Sequence, residues 1–312
     1  MLSNKNFLYS VSILIGTIVG VGIFGIPFSF AKAGFLTGFL FLIFVGILSL
    51  VVNLIFGEIV LRTKEIHQFT GYAEIYLSKG LKTLASFAWF LSIYGALLAY
   101  IIISGNFLFN LFISQFYLDP FVFSIWFFAF AAMCALAGLK TIARFEFFMV
   151  LFFTLIVFLI FGFGLPKIEF QNLATLFNQE FWFLPYGVLL FAFAGFSAIP
   201  IQRELVKNKA GILKKAILWG SLVPMVLYLI FALSVVGISG DTTSPDVISG
   251  LNDFFDYRIV SLVSLFGLLA ITTSFMALSA ALIETFRLDY GFRRFNAWAF
   301  TCFVPFILFW FG

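Results

Sequence analysis

Apolar residues fill most of the chain in long, nearly unbroken runs, and short polar segments separate these runs. A helix needs about 20 consecutive apolar residues to cross the hydrocarbon core of a bilayer, and runs close to that length recur from one end of the sequence to the other. The pattern therefore predicts an all-α integral membrane protein. The predicted helices cover 7–30, 36–61, 83–113, 121–139, 145–165, 181–201, 216–238, 259–286 and 297–312.

Composition supports this class. Hydrophobic residues make up 63% of the chain and charged residues 10%, against about 45–50% and about 25% in soluble domains. The first run lacks the cleavage site of a secretory signal, so we expect a retained helix and no removable signal peptide. Cys134 and Cys302 lie inside apolar runs, which indicates buried thiols rather than a disulfide framework.

The basic residues predict the orientation and the surroundings of the chain. When the N-terminus is placed in the cytoplasm, 15 of the 18 Lys and Arg residues fall in cytoplasmic segments, and the exceptions are Lys32, Lys167 and Arg258. This bias predicts a multi-pass protein of the cytoplasmic membrane with an inner N-terminus. Because the basic residues are spread over loops rather than gathered in a patch, we expect contact with the lipid bilayer and no nucleic-acid partner. We infer no protein partner.

Two of the nine predicted helices are interrupted. Residues 16–27 read "GTIVGVGIFGIP", with four glycines and a proline, and residues 185–200 read "PYGVLLFAFAGFSAIP", with Gly195 inside. Interrupted spans at matching positions of two halves indicate an inverted-repeat transporter whose binding site lies at the breaks. A zwitterionic amino acid suits such a site, because broken helices expose N–H groups at one end and carbonyls at the other. The alternative is close helix packing, which Gly16-x-x-x-Gly20 also fits.

A hydroxyl cluster, Thr272, Thr273 and Ser274, interrupts the eighth apolar run. Together with carbonyls of a broken helix, adjacent hydroxyls could form an oxygen cage for a small hard cation. The alternative is that each hydroxyl bonds back to a carbonyl of the preceding turn, which is common in membrane helices.

Three carboxylates, Glu58, Glu146 and Glu284, lie near predicted cytoplasmic helix ends. Arg62 follows the first of them by four residues and Arg287 follows the last by three, which favours charge pairs at helix ends. A cytoplasmic gate is the functional alternative, because a carboxylate inside a membrane usually has a role.

The interrupted segments resemble the amino acid/polyamine/organocation transporter superfamily, and within it the amino acid/auxin and the aromatic amino acid (tryptophan/tyrosine) permeases. The segments that carry the resemblance are "GTIVGVGIFGIPFSFAKAG", "NLIFGEIVLRTKEIHQFTGYAEIYLSKG", "YGALLAYIIISGN", "FAFAGFSAIPIQREL" and "TTSF".

The resemblance implies one transporter domain over residues 1–312 with the LeuT-type fold. This fold is a 5+5 inverted repeat with broken helices 1 and 6. The first repeat would span about 7–165 and the second about 181–312. Since the fold has ten core helices and this chain shows nine, the second repeat is expected to be incomplete, either because the sequence is a fragment or because the member is trimmed.

The resemblance also implies a substrate site at the two breaks. N–H groups of the first break would receive the carboxylate, carbonyls of both breaks would receive the ammonium, and a phenylalanine of helix six would act as a gate. Position 17 is Thr where several relatives have Asn, so its polar contact differs from theirs. The predicted substrate residues are Thr17, Ile18, Gly20, Val21, Gly22, Tyr100, Phe191, Phe193, Ala194 and Gly195.

A sodium site found in some relatives would use carbonyls of the first helix and carbonyl and hydroxyl groups of the eighth. Helix five has no core lysine to replace sodium. We expect Na⁺ or H⁺ as the coupling ion and no other cofactor. The predicted ion ligands are Gly16, Val19, Ala270, Thr273 and Ser274.

Together these observations predict a secondary active transporter that moves an amino acid by alternating access, coupled to H⁺ or Na⁺. No charged residue belongs to the predicted pocket, which favours a neutral substrate, apolar or aromatic. A multi-pass membrane enzyme is an alternative of another class, but it would need clustered Asp, His or metal ligands, and the chain has a single His. A non-transporting membrane subunit fits the composition and leaves both broken helices unexplained.

Overall fold

Long helices account for most of the chain in the computed structural model, which describes residues 4–112, 118–137, 139–251, 254 and 257–312. Within these residues the fold is all helical, as predicted, with short 3₁₀ segments and one π-helical turn, Thr285–Asp289, between the α-helices. The α-helices are α1 (Asn4–Ile18), α2 (Gly22–Ala33), α3 (Phe35–Arg62), α4 (Phe69–Tyr76), α5 (Lys79–Phe112), α6 (Pro120–Ala135), α7 (Leu139–Gly164), α8 (Leu184–Ala192), α9 (Ile199–Leu205), α10 (Ala210–Ser239), α11 (Ile248–Leu251), α12 (Tyr257–Glu284) and α13 (Arg294–Phe311).

Each of the nine predicted segments contains helix. Seven stretches of the described residues are long and apolar enough to cross a membrane, and one of them combines α8 and α9. The pair α1 and α2 forms a further span that bends by 54° at its break, and α6 is a shorter apolar helix. Several boundaries differ from the prediction, most of all where α10 begins at Ala210 rather than at 216 and where α7 includes the predicted loop 140–144. In addition, α4 is a short helix inside a predicted loop. Residue 113, the predicted end of the third helix, lies outside the described residues.

The broken helices lie at the centre of the bundle. α1 packs against α7, α9, α10 and α12, and α2 packs against α8 and α10. The most apolar window of α12 is 67% buried, whereas that of α13 is 22% buried and that of α3 is 28% buried. α3 and α13 therefore present apolar side chains outward, as expected for helices that face lipid.

Two buried charged side chains connect several segments at one end of the bundle. This is the end at which α1 begins, and we call it the N-terminal end. The Arg203 guanidinium at the end of α9 donates to the carbonyl of Thr63 at 2.8 Å and to the next two carbonyls of that loop at 3.2 Å. The Asp289 carboxylate accepts from the Thr70 hydroxyl and from the Gly71 N–H, both at 2.7 Å. These bonds fix the loop after α3 and helix α4 to the ends of α9 and α12.

The opposite end is closed by the segment between α7 and α8. The N–H of Phe35 donates to the Thr175 carbonyl at 2.8 Å, and the N–H of Asn178 donates to the Ala33 carbonyl at 2.9 Å. Gly34 lies between these contacts with φ +96°, and a Cβ there would come within 2.6 Å of the Leu176 backbone. A glycine is therefore required both for the backbone conformation and for the close approach.

Candidate functional site

The first break interrupts the chain between α1 and α2, at residues 19–21. A tight turn forms there, in which the Gly20 N–H donates to the Ile18 carbonyl at 2.9 Å. Helix α2 then starts at Gly22, so its first N–H groups and the positive end of its dipole lie at the middle of the bundle. Such a helix start favours an anionic group.

The second break separates α8 from α9. Helix α8 ends at Ala192, a 3₁₀ turn covers Phe196–Ala198, and α9 begins at Ile199. The last carbonyls of α8 and the negative end of its dipole therefore lie opposite the start of α2, against which α8 packs. Together the two breaks present backbone groups of both signs, as a zwitterion requires.

Tyr228 of α10 connects the two breaks, and sequence reasoning missed it. Its hydroxyl lies 2.7 Å from the Ile18 carbonyl and 2.8 Å from the Ala192 carbonyl, and the side chain is fully buried. A hydroxyl has one hydrogen to donate, so the two carbonyls share it. A tyrosine inside an apolar span was the available signal, because a buried phenol normally has a hydrogen-bond partner.

This arrangement changes one predicted contact. The Ile18 carbonyl accepts from both the Gly20 N–H and the Tyr228 hydroxyl, which occupies both of its lone pairs. In this conformation Ile18 therefore has no free acceptor for a substrate ammonium.

The glycines of the breaks allow close packing as well as backbone exposure. A Cβ on Gly22 would lie 2.8 Å from the Ala192 Cα, and a Cβ on Gly20 would lie 2.7 Å from the Ser274 hydroxyl. A Cβ on Gly195 would lie 2.4 Å from the Ile18 side chain. These glycines are therefore consistent with both hypotheses, that of close helix packing and that of backbone contact with a ligand.

A cavity lies between the breaks and α5. Its volume of about 50 Å³ is room for a few water molecules, so an amino acid would need neighbouring side chains to move. Charged side chains are absent from its lining among the described residues. Seven predicted substrate residues line it: Thr17, Ile18, Gly20, Gly22, Tyr100, Phe191 and Ala194.

Three predicted substrate residues, Val21, Phe193 and Gly195, lie outside this lining. The Phe193 ring instead packs against Tyr228 with ring centroids 5.0 Å apart and is 2% exposed. Phe193 therefore does not cover the cavity in this conformation, because the turn after α8 points its ring toward α10. Phe191, its alternative in the prediction, does line the cavity.

Several lining residues were not predicted. They come from the half of α5 nearer the N-terminal end, from the last residue of α8, from the 3₁₀ turn after it and from α12, and their sequence pattern is that of ordinary core positions. These residues are Trp89, Ser92, Ile93, Ala96, Ala192, Phe196, Ser197 and Leu278.

Two groups of aromatic rings lie on either side of the breaks. The outer cluster, Phe24, Phe107, Phe231 and Phe266, joins α2, α5, α10 and α12 with ring centroids 4.9–5.7 Å apart. Such clusters close a path by packing, and each ring pair adds about 0.5–1.5 kcal/mol beyond area burial.

The inner cluster lies toward the N-terminal end and consists of Phe56, Phe69, Tyr72, Trp89 and Phe196, with centroids 5.3–6.1 Å apart. Burial raises the pKa of Tyr72, which lies in α4 outside the spanning helices, so its hydroxyl remains a hydrogen-bond donor at neutral pH.

The structure brings three of the predicted ion ligands together. The Ser274 hydroxyl lies 2.7 Å from the Gly16 carbonyl and 3.3 Å from the Val19 carbonyl, which joins α12 to the first break. The Thr273 hydroxyl instead donates to the Ala270 carbonyl of its own helix at 2.9 Å. Ser274 thus fits the hypothesis of an oxygen cage for a cation. Thr273 fits the alternative, in which the hydroxyl bonds back to a carbonyl of its own helix.

The interpretation of the three carboxylates holds for two of them. Glu58 and Glu284 form ion pairs with Arg62 and Arg287, each at 2.6 Å. For Glu146 the expectation of a paired helix-end charge is wrong. Its side chain is 0% exposed, and neither carboxylate oxygen has a hydrogen-bond partner among the described residues, because α7 directs it toward α1 rather than toward solvent.

Comparison with known proteins identifies the lineage. A model of the tryptophan/tyrosine permease family matches residues 3–311. The chain is 26% identical to the Tyrosine-specific transport system 1 of Haemophilus influenzae over 93% of its own length and 75% of that protein. It is 25% identical to Glutamine transporter 2 of Aliivibrio fischeri over 88% of its own length and 73% of that protein.

Solved structures agree on the architecture. The chain resembles MhsT in complex with L-phenylalanine with a TM-score of 0.75 and 15% identity, over 98% of this chain and 78% of that one. It resembles a nucleobase-cation-symport-1 family transporter, Mhp1, in a closed conformation with bound bromovinylhydantoin, with a TM-score of 0.72 and 11% identity, over 97% and 71% of the two chains. These likenesses show the LeuT-type fold, which confirms the predicted fold class.

Proposed function

The chain belongs to the tryptophan/tyrosine permease family, and we propose that within it the protein carries neutral amino acids with a large apolar or aromatic side chain. Membership makes it an amino acid transporter of the membrane and not an enzyme. The observation that supports the proposed substrate is the cavity, in which two helix breaks present backbone groups of both signs beside an uncharged, aromatic lining.

The substrate carboxylate is proposed to bind at the start of α2, at Gly22, where the first N–H groups and the helix dipole favour negative charge. The Gly20 N–H is proposed to join this site once it leaves the Ile18 carbonyl, to which it donates at 2.9 Å in this conformation. The ammonium is proposed to bind at the end of α8, at the carbonyls of Phe191 and Ala194. In this conformation the Ile18 carbonyl accepts from Tyr228 and Gly20, and the Phe191 carbonyl accepts from the Ala194 N–H at 3.2 Å. We leave Ile18 out because two strong donors hold it, and the Phe191 carbonyl must loosen its longer bond to bind the ammonium.

The substrate side chain is proposed to occupy the space bounded by Trp89, Ile93, Phe196 and Leu278. A charged side chain would lose its hydration there without gaining a partner of opposite charge, which is costly. An apolar or aromatic side chain gains about 25 cal/mol for each Å² of apolar surface that it buries. This contrast supports a neutral substrate.

Alternating access is proposed to work through the two aromatic clusters. In this conformation rings pack on both sides of a cavity that is smaller than an amino acid, so substrate entry requires one cluster to separate. The bias of basic residues supports a cytoplasmic N-terminal end in the cell membrane. The inner cluster would then open to the cytoplasm and the outer cluster to the other side.

The coupling ion is proposed to be Na⁺. The carbonyls of Gly16 and Val19 and the Ser274 hydroxyl form a compact oxygen group at the first break, and hard cations prefer oxygen ligands. When bound, Na⁺ would supply a positive charge that holds α12 to the break. Thr273 and Ala270 are proposed as its further ligands, because the Thr273 hydroxyl that donates to the Ala270 carbonyl and the carbonyl itself both keep a lone pair for a cation.

Proteoliposomes test the proposal. Purified protein should exchange labelled phenylalanine, tyrosine or tryptophan across the vesicle membrane without any ion gradient, and unlabelled neutral amino acids with large side chains should compete. Aspartate and lysine at the same concentration should not compete. If no amino acid is exchanged, or if charged amino acids compete best, the substrate proposal is wrong.

A further inference from the structure

The buried carboxylate of Glu146 lies against Gly16, in the last turn of α1 before the first break. A Cβ placed on Gly16 would lie 1.8 Å from its Oε2 atom, so the carboxylate occupies the space that a side chain at Gly16 would fill. The Gly16 carbonyl accepts from the Ser274 hydroxyl at 2.7 Å. One backbone residue thus joins a carboxylate of α7 to the hydroxyl of α12.

Within the described part of the chain, no protein group compensates this carboxylate. Neither oxygen has a hydrogen-bond partner among the described residues, and the side chain is 0% exposed. None of the ionisable side chains of the helices that pack against α7 bonds to it. These side chains are Lys5 and Tyr9 of α1, Lys214, Lys215 and Tyr228 of α10, Tyr257, Arg258 and Glu284 of α12, and Lys167 of the 3₁₀ segment after α7.

A buried carboxylate without a partner is costly, and such groups normally pair with a cation or bind a metal. The residue that the carboxylate contacts, Gly16, offers a carbonyl oxygen, and the Ser274 hydroxyl of α12 bonds to that oxygen. Carboxylate, carbonyl and hydroxyl oxygens together are the ligand set of hard cations. The unpartnered carboxylate therefore points to a missing positive charge at the first break.

We propose that Glu146 is an anionic ligand of the Na⁺ site at the first break, in addition to the neutral oxygens of Gly16, Val19 and Ser274. The carboxylate supplies the charge that the neutral oxygens lack, and the ion in turn compensates the buried carboxylate. This inference rests on the proposed transport function, in which Na⁺ is the coupling ion.

Direct Na⁺ binding tests the inference without measuring transport. Full-length protein in detergent is titrated with ²²Na⁺, and thermal unfolding is followed in NaCl and in choline chloride. We expect Na⁺ to bind saturably and to raise Tm, and we expect Glu146→Gln to weaken Na⁺ binding at least tenfold and to abolish the Tm shift. Glu58→Gln is the matched control, because it makes the same chemical change at an exposed ion pair.

Glu146→Asp keeps the test decisive if Glu146→Gln does not fold. The shorter carboxylate should bind Na⁺ more weakly than the wild type and should keep a smaller Tm shift. Unchanged Na⁺ affinity in either variant would overturn the inference. So would a wild-type protein that binds no Na⁺ but whose Tm depends on pH through Glu146, since the compensating cation would then be a proton.

Amino acid exchange without ion gradients separates this inference from the proposed function. If exchange occurs while Na⁺ does not bind, the Na⁺ site is wrong and the amino acid site stands. If Na⁺ binds through Glu146 while no amino acid is exchanged, the ion site stands and the proposed substrate is wrong.

Discussion

The two helix breaks face each other across one cavity, yet different chemistry surrounds them. Polar groups from other helices reach the first break, namely the Ser274 hydroxyl and the Glu146 carboxylate. At the second break the polar groups from other helices are hydroxyls, Ser49 on the Phe193 carbonyl and Tyr228 on the Ala192 carbonyl, and the Ile18 side chain packs against Gly195. The comparison suggests a division of work, with ion binding at the first break and selection of the substrate side chain at the second.

The largest expected effect comes from Gly22→Leu, where the two breaks touch. A Cβ at this position already lies 2.8 Å from the Ala192 Cα, so a leucine must push α2 away from α8 and fill the carboxylate site. Substrate binding, measured by equilibrium dialysis of labelled phenylalanine, should fall by roughly two orders of magnitude or more, about 3 kcal/mol.

Gly187→Leu is the matched control, since a Cβ there meets nothing within 4 Å. This control should bind as the wild type does. Gly22→Leu with unchanged affinity would show that the breaks do not form the substrate site.

Gly16→Ala tests the ion side of the comparison. Its Cβ would lie 1.8 Å from Oε2 of Glu146, so the carboxylate must leave its place beside the break. We expect ²²Na⁺ affinity to fall about tenfold, which corresponds to about 1.4 kcal/mol, while exchange of amino acids without a gradient continues. The control is Gly162→Ala on α7, the helix of Glu146, where a Cβ has no neighbour within 4 Å, and it should change neither property. A loss of amino acid binding without a loss of Na⁺ binding would reverse the proposed division.

Phe196→Ala tests the substrate side. The Phe196 ring lines the cavity and belongs to the inner cluster, so its removal should weaken binding of tryptophan by about 1–3 kcal/mol and that of alanine by less. Competition assays with both amino acids measure this difference. Na⁺ affinity should stay unchanged. Equal losses for tryptophan and alanine would mean that the ring has a structural role only.

Tyr228→Phe should have the smallest effect of the four. The variant keeps the ring and removes the hydroxyl that links the Ile18 and Ala192 carbonyls, which should destabilise the protein by about 1 kcal/mol. Thermal unfolding measures the change. Tyr257→Phe removes a hydroxyl that also lies near two carbonyls, those of Asn110 and Leu111, but in an exposed position, and it should be nearly neutral. Equal shifts in the two variants would argue against Tyr228 as a link between the breaks.

The length of the apolar runs was sufficient to predict the spanning helices, because a bilayer requires long apolar segments whose backbone groups are satisfied internally. The break positions were also readable, since glycine and proline weaken a helix through local backbone effects. Gly20, Gly22 and Phe191 entered the predicted substrate site through the family resemblance, and all three line the cavity.

Other features depend on which faces meet in the folded bundle. Glu146 follows Arg144 by two residues and resembled a helix-end charge, yet α7 directs the two side chains to different surroundings, and Arg144 is exposed. Phe191 and Phe193 are the same residue type two positions apart, so the sequence does not distinguish them. Only the turn after α8 directs one ring to the cavity and the other to Tyr228.

Local chemistry along the chain thus decided the class, the helices, the broken spans and the family, because these depend on properties of neighbouring residues. The tertiary structure alone decided that Tyr228 bridges the breaks, that Glu146 meets Gly16 and that Trp89 and Phe196 line the cavity. These contacts join residues far apart in sequence. Their geometry depends on how each helix is rotated about its axis and shifted along it relative to its neighbours, and no single segment determines this.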